Sequence, residues 1–414
     1  PVPFSYHQEI ELDITALTNL GLGLGRVDGW VVMVPYCLPG ERVRARVWRN
    51  HANHSQADLV EVLKKSPQRV EAQCPLFGEC GGCQYQHLSY EGQLAFKRAQ
   101  IAELLERIGG IEAPVGEVVH SGHTYGYRAK LTPHWPQPRA GEFLPVGFLH
   151  VNSRTRVVDV PYCPIATDAI NTVLPKAAAR LRSFNPPPKR GGTLLLRESD
   201  EGVCTDFKAV ITSTVCGVRY RHIAGEFFQN NPFVLPLLVE HVKKQAGAIS
   251  ARFLVDAYCG VGLFALALAD GFEKTVGVEI NAAAVELARQ NAQLNDKKNC
   301  AFVVGQAQAI FSEIDFAGQN TVIIIDPPRA GATPEFLQQL VALKPRRIVY
   351  VACDRPRRRA TRKSCVRAAT ALPTSRPLTF FHRPATSKMS SPSTRARCRD
   401  RACFCLVFAG KFLF

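Results

Sequence analysis

The sequence predicts an α/β protein in which a doubly wound parallel sheet forms the C-terminal half and follows two smaller, strand-rich units. Short runs of alternating apolar and polar residues up to residue 65 predict an OB-like β-barrel. Closely spaced cysteines then predict a small β-rich domain organised around a cation. Apolar strands that alternate with amphipathic helices predict the parallel sheet. We therefore divide the chain into residues 1–66, 67–220, 221–354 and 355–414.

The net charge of +16 is concentrated at the C-terminal end of the 414-residue chain. Of the 51 basic and 35 acidic side chains, residues 355–414 contain 15 basic ones and a single acid, Asp400. The remaining residues carry 36 basic and 34 acidic side chains and are nearly neutral. The total charge therefore does not by itself indicate nucleic-acid binding.

Membrane and secretion signals are absent from the sequence pattern. No run approaches the about 20 apolar residues of a membrane span, and the first residues lack the basic-then-apolar order of a signal peptide. The 14 cysteines are clustered in a way that is typical of metal or catalytic use in a reducing compartment. We expect a cytoplasmic monomer that contacts no membrane.

The barrel prediction rests on short strands separated by glycine turns. Gly21-Leu-Gly-Leu-Gly-Arg26, Asp28-Gly29 and Pro39-Gly40-Glu41 are the turns, and β-type alternation lies between them. Basic side chains of this region are suited to follow a phosphate backbone. They are Arg26, Arg42, Arg44, Arg46, Arg49, Lys64 and Lys65. The alternative interpretation is a solvated barrel face.

Three cysteines, Cys74, Cys80 and Cys83, fall within ten residues, and Gly81-Gly82 allows the backbone to curl around one centre. Thiolates this close need a shared cation, which leaves a structural zinc site and an iron–sulfur cluster as alternatives. Cys163, in Asp159-Val-Pro-Tyr-Cys-Pro, is the candidate fourth ligand. Proline beside Cys74 and Cys163 is similar to the Cys-Pro element of cluster ligands.

A helix is predicted over residues 90–110, because apolar residues recur at helical spacing and two glycines follow. We expect this helix to pack on the C-terminal domain. The rest of the central region returns to short strands. Tyr125-Gly-Tyr-Arg128-Ala-Lys130 combines aromatic and basic groups that suit stacking on unpaired bases.

A glycine turn after a buried strand predicts a nucleotide-type ligand. Gly260 and Gly262 follow the strand at 253–257, and the next strand ends in Glu279. This arrangement fits a nicotinamide dinucleotide or S-adenosylmethionine (SAM), with the acid on the ribose. Asp256 favours SAM, because a carboxylate there suits a cationic ligand better than a pyrophosphate.

Two further strand ends supply candidate catalytic groups. Asp326-Pro-Pro-Arg329 follows a buried strand, and its stiff prolines fix the exit direction of the chain. Cys353 ends another strand, at the edge of the sheet where a nucleophile is expected. The alternative for Cys353 alone is a small buried core residue.

Taken in this order, the motifs over residues 4–354 resemble the cluster-bearing RNA uracil-C5 methyltransferases. The N-terminal turns are similar to those of the TRAM domain, an RNA-binding barrel. The resemblance implies a 4Fe-4S cluster on Cys74, Cys80, Cys83 and Cys163. It further implies RNA as the partner, ribosomal RNA first and transfer RNA as the alternative.

The resemblance also implies the roles of individual residues. Cys353 would add to C6 of a uracil flipped out of the RNA, and the resulting C5 enolate would accept the methyl group of SAM. Asp326 would hold the uracil edge or the cofactor. The SAM site would be lined by Gln229, Tyr258, Glu279, Gln306 and Asp326.

The sequence departs from the family at three places. Gln306 and Gln308 stand where acids are usual, and Leu263 stands where a polar residue is common. After Asp354 the family pattern stops, and no glutamate follows Glu335 to serve as the expected general base. A shifted reading frame or a basic RNA-binding tail would explain residues 355–414, and an RNA-binding protein without catalysis is the corresponding alternative function. The sheet is then expected to end on an exposed edge, with the apolar residues 402–414 as an accidental strand former.

Overall fold

A computed structural model describes residues 3–18, 20–110, 115–247, 249–307, 315–328, 331–352 and 403–408. The described chain forms a closed barrel, a central region of small antiparallel sheets and a six-stranded sheet covered by helices. No helix within these described ranges is long and apolar enough to cross a membrane.

Five strands close the N-terminal barrel in the order β1-β2-β3-β5-β4. They are β1 (Glu9–Leu17), β2 (Leu22–Val27), β3 (Trp30–Pro35), β4 (Arg42–Asn50) and β5 (Ser55–Lys64). Alternate residues of β1 and β4 point inward, and Leu12, Ile14 and Val43 lie in the barrel core. Closure leaves no unpaired strand edge. The predicted barrel is therefore confirmed.

The central region begins with a long helix and continues in short strands. Its elements are α1 (Tyr90–Gly109), β6 (Lys130–Leu131), β7 (His134–Trp135), β8 (Gly147–Leu149), β9 (Val157–Asp159), α2 (Asp168–Arg182), β10 (Gly192–Thr193), β11 (Leu196–Ser199), β12 (Gly202–Cys204), β13 (Val210–Val215) and β14 (Val218–Ile223). Ser89 caps α1 by accepting a hydrogen bond from the Gly92 amide, and Gly110 ends it in the left-handed conformation. The sheets have the orders β10-β7-β8-β9 and β12-β11-β6, with β13 and β14 as a separate hairpin.

The C-terminal sheet is parallel and has the order β17-β16-β15-β18-β19-β20. Its elements are α3 (Leu235–Gly247), β15 (Phe253–Ala257), α4 (Leu263–Leu268), β16 (Lys274–Glu279), α5 (Ala282–Leu294), β17 (Cys300–Val304), β18 (Thr321–Ile325), α6 (Pro334–Leu343), β19 (Arg347–Ala352) and β20 (Cys403–Phe408). Asn281 caps α5, and Thr333 caps α6.

Both faces of this sheet are covered. Leu254 and Ile324 face the cluster formed with α3, α4 and α5, whereas Val255 and Ile325 face the cluster formed with α6. Helix α1 of the central region contributes Ile101 and Leu105 to the second cluster. The sheet of the C-terminal half is thus covered on one face partly by a helix that precedes it by about 150 residues.

The last strand differs from expectation. We expected the sheet to end on an exposed edge after β19. Instead β20, which lies in the segment expected to be a strand former, pairs with β19 in parallel along its whole length, from Arg347↔Cys403 to Ala352↔Phe408, and is the end strand of the sheet. The β-branched, aromatic and apolar composition of the Cys403–Phe408 segment suits a pleated strand. Residues 353–402, with the predicted nucleophile Cys353, lie outside the described residues.

Candidate functional site

The predicted ligand residues meet at the carboxyl edge of the parallel sheet. Tyr258, Glu279, Gly305 and Asp326 lie at or directly after the ends of β15, β16, β17 and β18. The strands are in register there, because Ala257 pairs with both Val278 and Ile325. Ligands of open α/β sheets bind outside this edge. The structure therefore brings three of the predicted ligand residues, Tyr258, Glu279 and Asp326, to one edge.

The glycine turn after β15 is held open by backbone conformation. Gly260 has φ 54° and Gly262 has φ 91°, a region that favours glycine. A Cβ on Gly262 would approach the Phe302 ring to 3.1 Å. Tyr258 also has a positive φ, 66°, which is unusual for a bulky residue and is often found at functional sites.

Glu279 joins the turn to the second strand. Its Oε2 accepts a hydrogen bond from the Gly260 amide at 3.1 Å, and its Oε1 accepts one from the Asn281 amide at 3.0 Å. Its backbone oxygen accepts from the Gly305 amide at 3.0 Å, and the exposed Gln306 follows directly in the chain. An ionised carboxylate accepts up to about four hydrogen bonds, so both oxygens of Glu279 retain capacity for ribose hydroxyls.

Asp256 lies inside the sheet rather than on its exposed edge. It is fully buried in β15, and its Oδ2 accepts a hydrogen bond from the Ala265 amide of α4 at 2.9 Å. Burial, and after it the negative charges of Asp326 and Glu279, raises the pKa of Asp256 to about 8, against a hydrogen bond from Ala265 that lowers it. Asp256 thus anchors the glycine turn from inside the sheet, and Glu279 and Asp326 lie at its carboxyl edge.

Gln229 lies in a loop, residues 225–231, that precedes α3. Its neighbour Phe228 packs in the same apolar cluster as Val261 and Leu263 of the glycine turn. The Asn231 side chain accepts hydrogen bonds from the Phe233 and Val234 amides, both at 3.0 Å, and so fixes the exit of the loop. Gln229 is half-buried and directly follows Phe228, which packs in the apolar core beneath the glycine turn.

The four predicted cluster cysteines line one cavity of about 200 Å³. The loop of Cys74 and Cys80 is held by the Cys80 amide, which donates to Leu76 O at 2.9 Å, and Asn171 exchanges hydrogen bonds with the backbone of Cys163. Burial first, and also the charge of Cys83 and Cys80, raises the pKa of the Cys163 thiol to about 12. Together these thiols would need a cation to be held as thiolates.

The cysteines of this cavity are spaced apart rather than gathered around one point. Within the described part of the chain, no group of three or more His, Cys, Asp or Glu residues is close enough to hold one ion. Zinc requires all of its sulfur ligands at about 2.3 Å, whereas a cluster spreads its ligands over several iron atoms. Gly82 lies against this group of cysteines, because a Cβ there would be in van der Waals contact with the Cys80 sulfur, at 3.4 Å.

Part of the basic face of the barrel is paired with acids. Arg42 pairs with Glu11 and Asp13, Arg44 pairs with Glu61, and Arg46 pairs with Glu9 at 2.7 Å. Arg26 donates to Gly29 O at 2.9 Å. These pairs form because the partners stand on neighbouring strands. Four of the seven basic side chains are therefore engaged within the barrel.

Sequence reasoning missed Arg197 in β11. Its guanidinium is almost fully buried and donates to Asn230 Oδ1 at 2.9 Å and to Gln229 O at 3.3 Å. The only sequence signal is a charged residue that directly follows the apolar run Leu194-Leu-Leu196 in a predicted strand. A cation in such a position requires polar partners from elsewhere in the fold.

Comparison with known proteins gives two matching families. Residues 10–68 match the TRAM domain of tRNA (uracil(54)-C(5))-methyltransferase, and residues 208–361 match the family tRNA (Uracil-5-)-methyltransferase. The first match covers the barrel. The second covers the loop with Gln229, the glycine turn and the strand ends with Glu279 and Asp326.

Individual relatives agree with this assignment. The tRNA (uracil(54)-C(5))-methyltransferase of Schizosaccharomyces pombe is 38% identical over 375 residues, which cover 85% of this chain and 71% of that protein. The enzyme of the same name from Saccharomyces cerevisiae is 30% identical, with 86% and 68% covered. The crystal structure of Pyrococcus abyssi tRNA (uracil-54, C5)-methyltransferase with S-adenosyl-L-homocysteine matches with a TM-score of 0.64 and 25% identity, over 88% of this chain and 94% of that chain.

These matches extend over both the barrel and the SAM-type strand edge, in the order that the motifs have in the sequence. They support SAM-dependent methylation of RNA at uracil C5 and exclude a nicotinamide oxidoreductase as the better interpretation of the glycine turn. The chain belongs to the tRNA (uracil-5-)-methyltransferase family and is an RNA uracil-5-methyltransferase with an N-terminal TRAM domain.

Proposed function

We propose that this protein methylates C5 of a uridine in transfer RNA, at the position that corresponds to uridine 54. This is supported by both yeast relatives and the archaeal crystal structure, which are named as tRNA uracil-54 C5-methyltransferases. Ribosomal RNA, the substrate that the sequence first suggested, has no support among these matches. The observation that carries the proposal is the strand edge where Tyr258, Glu279 and Asp326 meet beside the glycine turn.

The SAM site is proposed on these same residues. Glu279 would accept hydrogen bonds from the ribose hydroxyls, and the glycine turn would let the ligand approach the backbone. Tyr258 would pack against the adenosine, and Gln306 would reach the adenine edge. The charges of Glu279 and Asp326 suit the positive sulfonium of SAM and favour it over a neutral ligand.

SAM supplies the methyl group, and we propose the following roles for the chain. The Cys353 thiolate forms a bond to uracil C6, and the electron pair moves to C5 and O4. The C5 carbon then takes the methyl group as the carbon–sulfur bond of SAM breaks, and Gln229 and Asp326 hold the reacting partners. A base removes the C5 proton, and that electron pair expels Cys353. Because no glutamate follows Glu335, we expect this last step to be slow.

The test uses the full-length protein, methyl-labelled SAM and three RNAs: a transfer RNA with uridine 54, the same RNA with cytidine 54, and ribosomal RNA. Label that enters only the first RNA supports the proposal, and label in the ribosomal RNA alone contradicts it. Label that stays in a denaturant-resistant protein–RNA band, and is lost in Cys353→Ala, shows a covalent adduct that releases slowly. RNA binding without any label would favour the binding-only alternative.

We further propose that Cys74, Cys80, Cys83 and Cys163 hold a 4Fe-4S cluster, because all four line one cavity. The cluster would tie residues 74–83 to the region of Cys163, and no redox step is required of it. Anaerobically purified protein should contain about four iron and four sulfide per chain. Cys163→Ser should lose most of both, whereas the exposed Cys216→Ser should lose neither. Stoichiometric zinc without sulfide would contradict the proposal.

A further inference from the structure

The central region makes several hydrogen bonds to the loop of residues 225–231, whose Phe228 also packs in the core of the C-terminal domain. They come from Ala129 and Lys130, at the start of β6, and from Arg197 on β11. This matters because the loop carries Gln229, whose proposed role is to bind SAM. The inference below therefore rests on the proposed function.

Arg197 holds the middle of the loop. It is 1% exposed, and it donates to the Asn230 side chain and to the Gln229 carbonyl. Its guanidinium also lies 5.8 Å from the centre of the Phe228 ring, which stacks on the His222 ring at 4.3 Å with an angle of 4°. Three consecutive loop residues, 228, 229 and 230, are thus fixed by one side chain.

The charge of Arg197 has no carboxylate partner in the described structure. Burial alone lowers the pKa of this guanidinium to about 10, and no nearby acid raises it. A buried cation with only neutral partners costs stability, and an apolar residue of similar size would cost less. An arginine at residue 197 is therefore better explained by its hydrogen bonds to the loop of residues 225–231 than by a contribution to the stability of the fold.

Lys130 holds the start of the loop. Its Nζ donates to Gly225 O at 2.9 Å and to Glu226 O at 3.0 Å, and the neighbouring Ala129 amide donates to Asn230 O at 2.8 Å. A lysine that bonds two successive carbonyls fixes the direction of the backbone there. Together with Arg197, it leaves residues 225–230 little freedom.

The segment that carries Lys130 also contacts the cysteine cavity. The Gly126 amide donates to Pro164 O at 2.9 Å, the Arg128 amide donates to Ile165 O at 2.7 Å, and Arg128 lines the cavity. A stretch of five residues, 126–130, thus connects the residues directly after Cys163 to the loop of Gln229. The cavity and the SAM loop are joined by one short piece of backbone.

We propose that Arg197 and Lys130 are positioning residues for SAM, and that they hold the 225–231 loop so that Gln229 faces the cofactor. They touch neither the methyl group nor the uracil. Their removal should lower the affinity for cofactor through the loop, and loss of the metal centre should act on the same loop through residues 126–130.

The test measures the affinity of the cluster-loaded protein for S-adenosylhomocysteine by calorimetry, so that no turnover is needed. Arg197→Met should weaken binding by about tenfold or more, because two hydrogen bonds from a charged donor are lost. Arg197→Lys should recover part of the loss, and Lys130→Met should weaken binding by about threefold to tenfold. In steady state, KM for SAM should rise more than kcat falls.

Arg182→Met is the matched control. Arg182 lies in the same region and also donates to a carbonyl, Leu144 O, and to a side chain, Asp159 Oδ1, but its contacts are remote from the loop. It should change the affinity by less than about twofold. Equal losses in Arg182→Met and Arg197→Met, or unchanged binding in Arg197→Met, would overturn the inference. If Arg197→Met does not fold, unchanged binding in both Arg197→Lys and Lys130→Met overturns it instead.

Gln229→Ala separates this inference from the proposed function. Weak binding in Gln229→Ala together with normal binding in Arg197→Met rejects only the positioning role. Normal binding in Gln229→Ala rejects the proposed role of Gln229, and with it the reason to position the loop. Wild-type protein that does not bind S-adenosylhomocysteine at all rejects the proposed SAM site itself.

Discussion

Charged side chains have different kinds of partners on the barrel surface and at the carboxyl edge of the parallel sheet. On the barrel, each of Arg42, Arg44 and Arg46 stands beside an acid on the adjacent strand, and these side chains are 40–50% exposed. At the sheet edge, Glu279 accepts hydrogen bonds from backbone amides, and the fully buried Asp256 accepts one from Ala265. The difference teaches that acids on the barrel surface are bound by neighbouring side chains, whereas these acids of the sheet are bound by the backbone.

The largest effect is expected at the ion pair between Glu41 and Arg69, which is buried, unlike the exposed pairs of the barrel surface. Glu41 is buried, and its carboxylate accepts from Arg69 and from the Leu38 and Ser66 amides. Glu41→Gln leaves the guanidinium without a countercharge, so we expect a loss of about 3–5 kcal/mol in the free energy of unfolding. Denaturant unfolding of the full chain measures it. A loss below about 1 kcal/mol would place this pair among the surface pairs.

The second effect concerns the sheet edge. Glu279→Gln keeps the size of the side chain but removes its charge, so hydrogen bonds to ribose hydroxyls and to Gly260 become weaker. We expect the affinity for S-adenosylhomocysteine to fall by about 10- to 100-fold. Calorimetry measures it, and Glu286→Gln on the exposed side of α5 is the control. Wild-type affinity in Glu279→Gln would remove this carboxylate from the proposed site.

The third effect depends on pH. Because the pKa of Asp256 is raised to about 8, the folded protein keeps a proton that the unfolded chain loses near pH 4, and stability declines as the pH rises between these values. Asp256→Asn removes this dependence and can still accept from Ala265. The melting temperature of Asp256→Asn minus that of the parent protein should therefore increase as the pH is raised from about 5 to about 8. A difference that is constant over this range would show that Asp256 is ionised in the fold.

The smallest effect is expected on the barrel surface. Arg46→Gln removes one exposed pair with Glu9, so the free energy of unfolding should change by less than about 1 kcal/mol. The affinity for transfer RNA should change little, because this arginine is already paired. If the affinity falls and the slope of its salt dependence decreases by about one phosphate contact, Arg46 leaves Glu9 and binds a phosphate in the complex. The comparison would then hold only for the free protein.

The sequence was sufficient for features that depend on neighbouring residues. Asn281 and Gly110 mark helix ends through local hydrogen bonds and backbone conformation, and the glycine turn at Gly260 was recognisable from spacing alone. The parallel strands could be predicted because most of their residues are apolar.

Features that depend on distant partners could not be predicted. The partner atoms of Arg197 are more than 30 residues away, and the Ala265 amide that holds Asp256 is visible only once α4 is placed. The pairing of β20 with β19 joins segments about 50 residues apart. The cross-strand acids of the barrel were present in the sequence, but their register decides whether they neutralise the arginines.

Helix α1 has a practical consequence for dividing the protein into fragments. Its residues Ile101 and Leu105 lie against Val255 and Ile325 of a sheet that begins far later in the chain. A recombinant fragment that starts at residue 221 would expose this apolar surface to water and would tend to aggregate. A soluble catalytic fragment should therefore retain the segment around residues 90–109, either in its natural connection or fused through a linker to the amino end of the fragment.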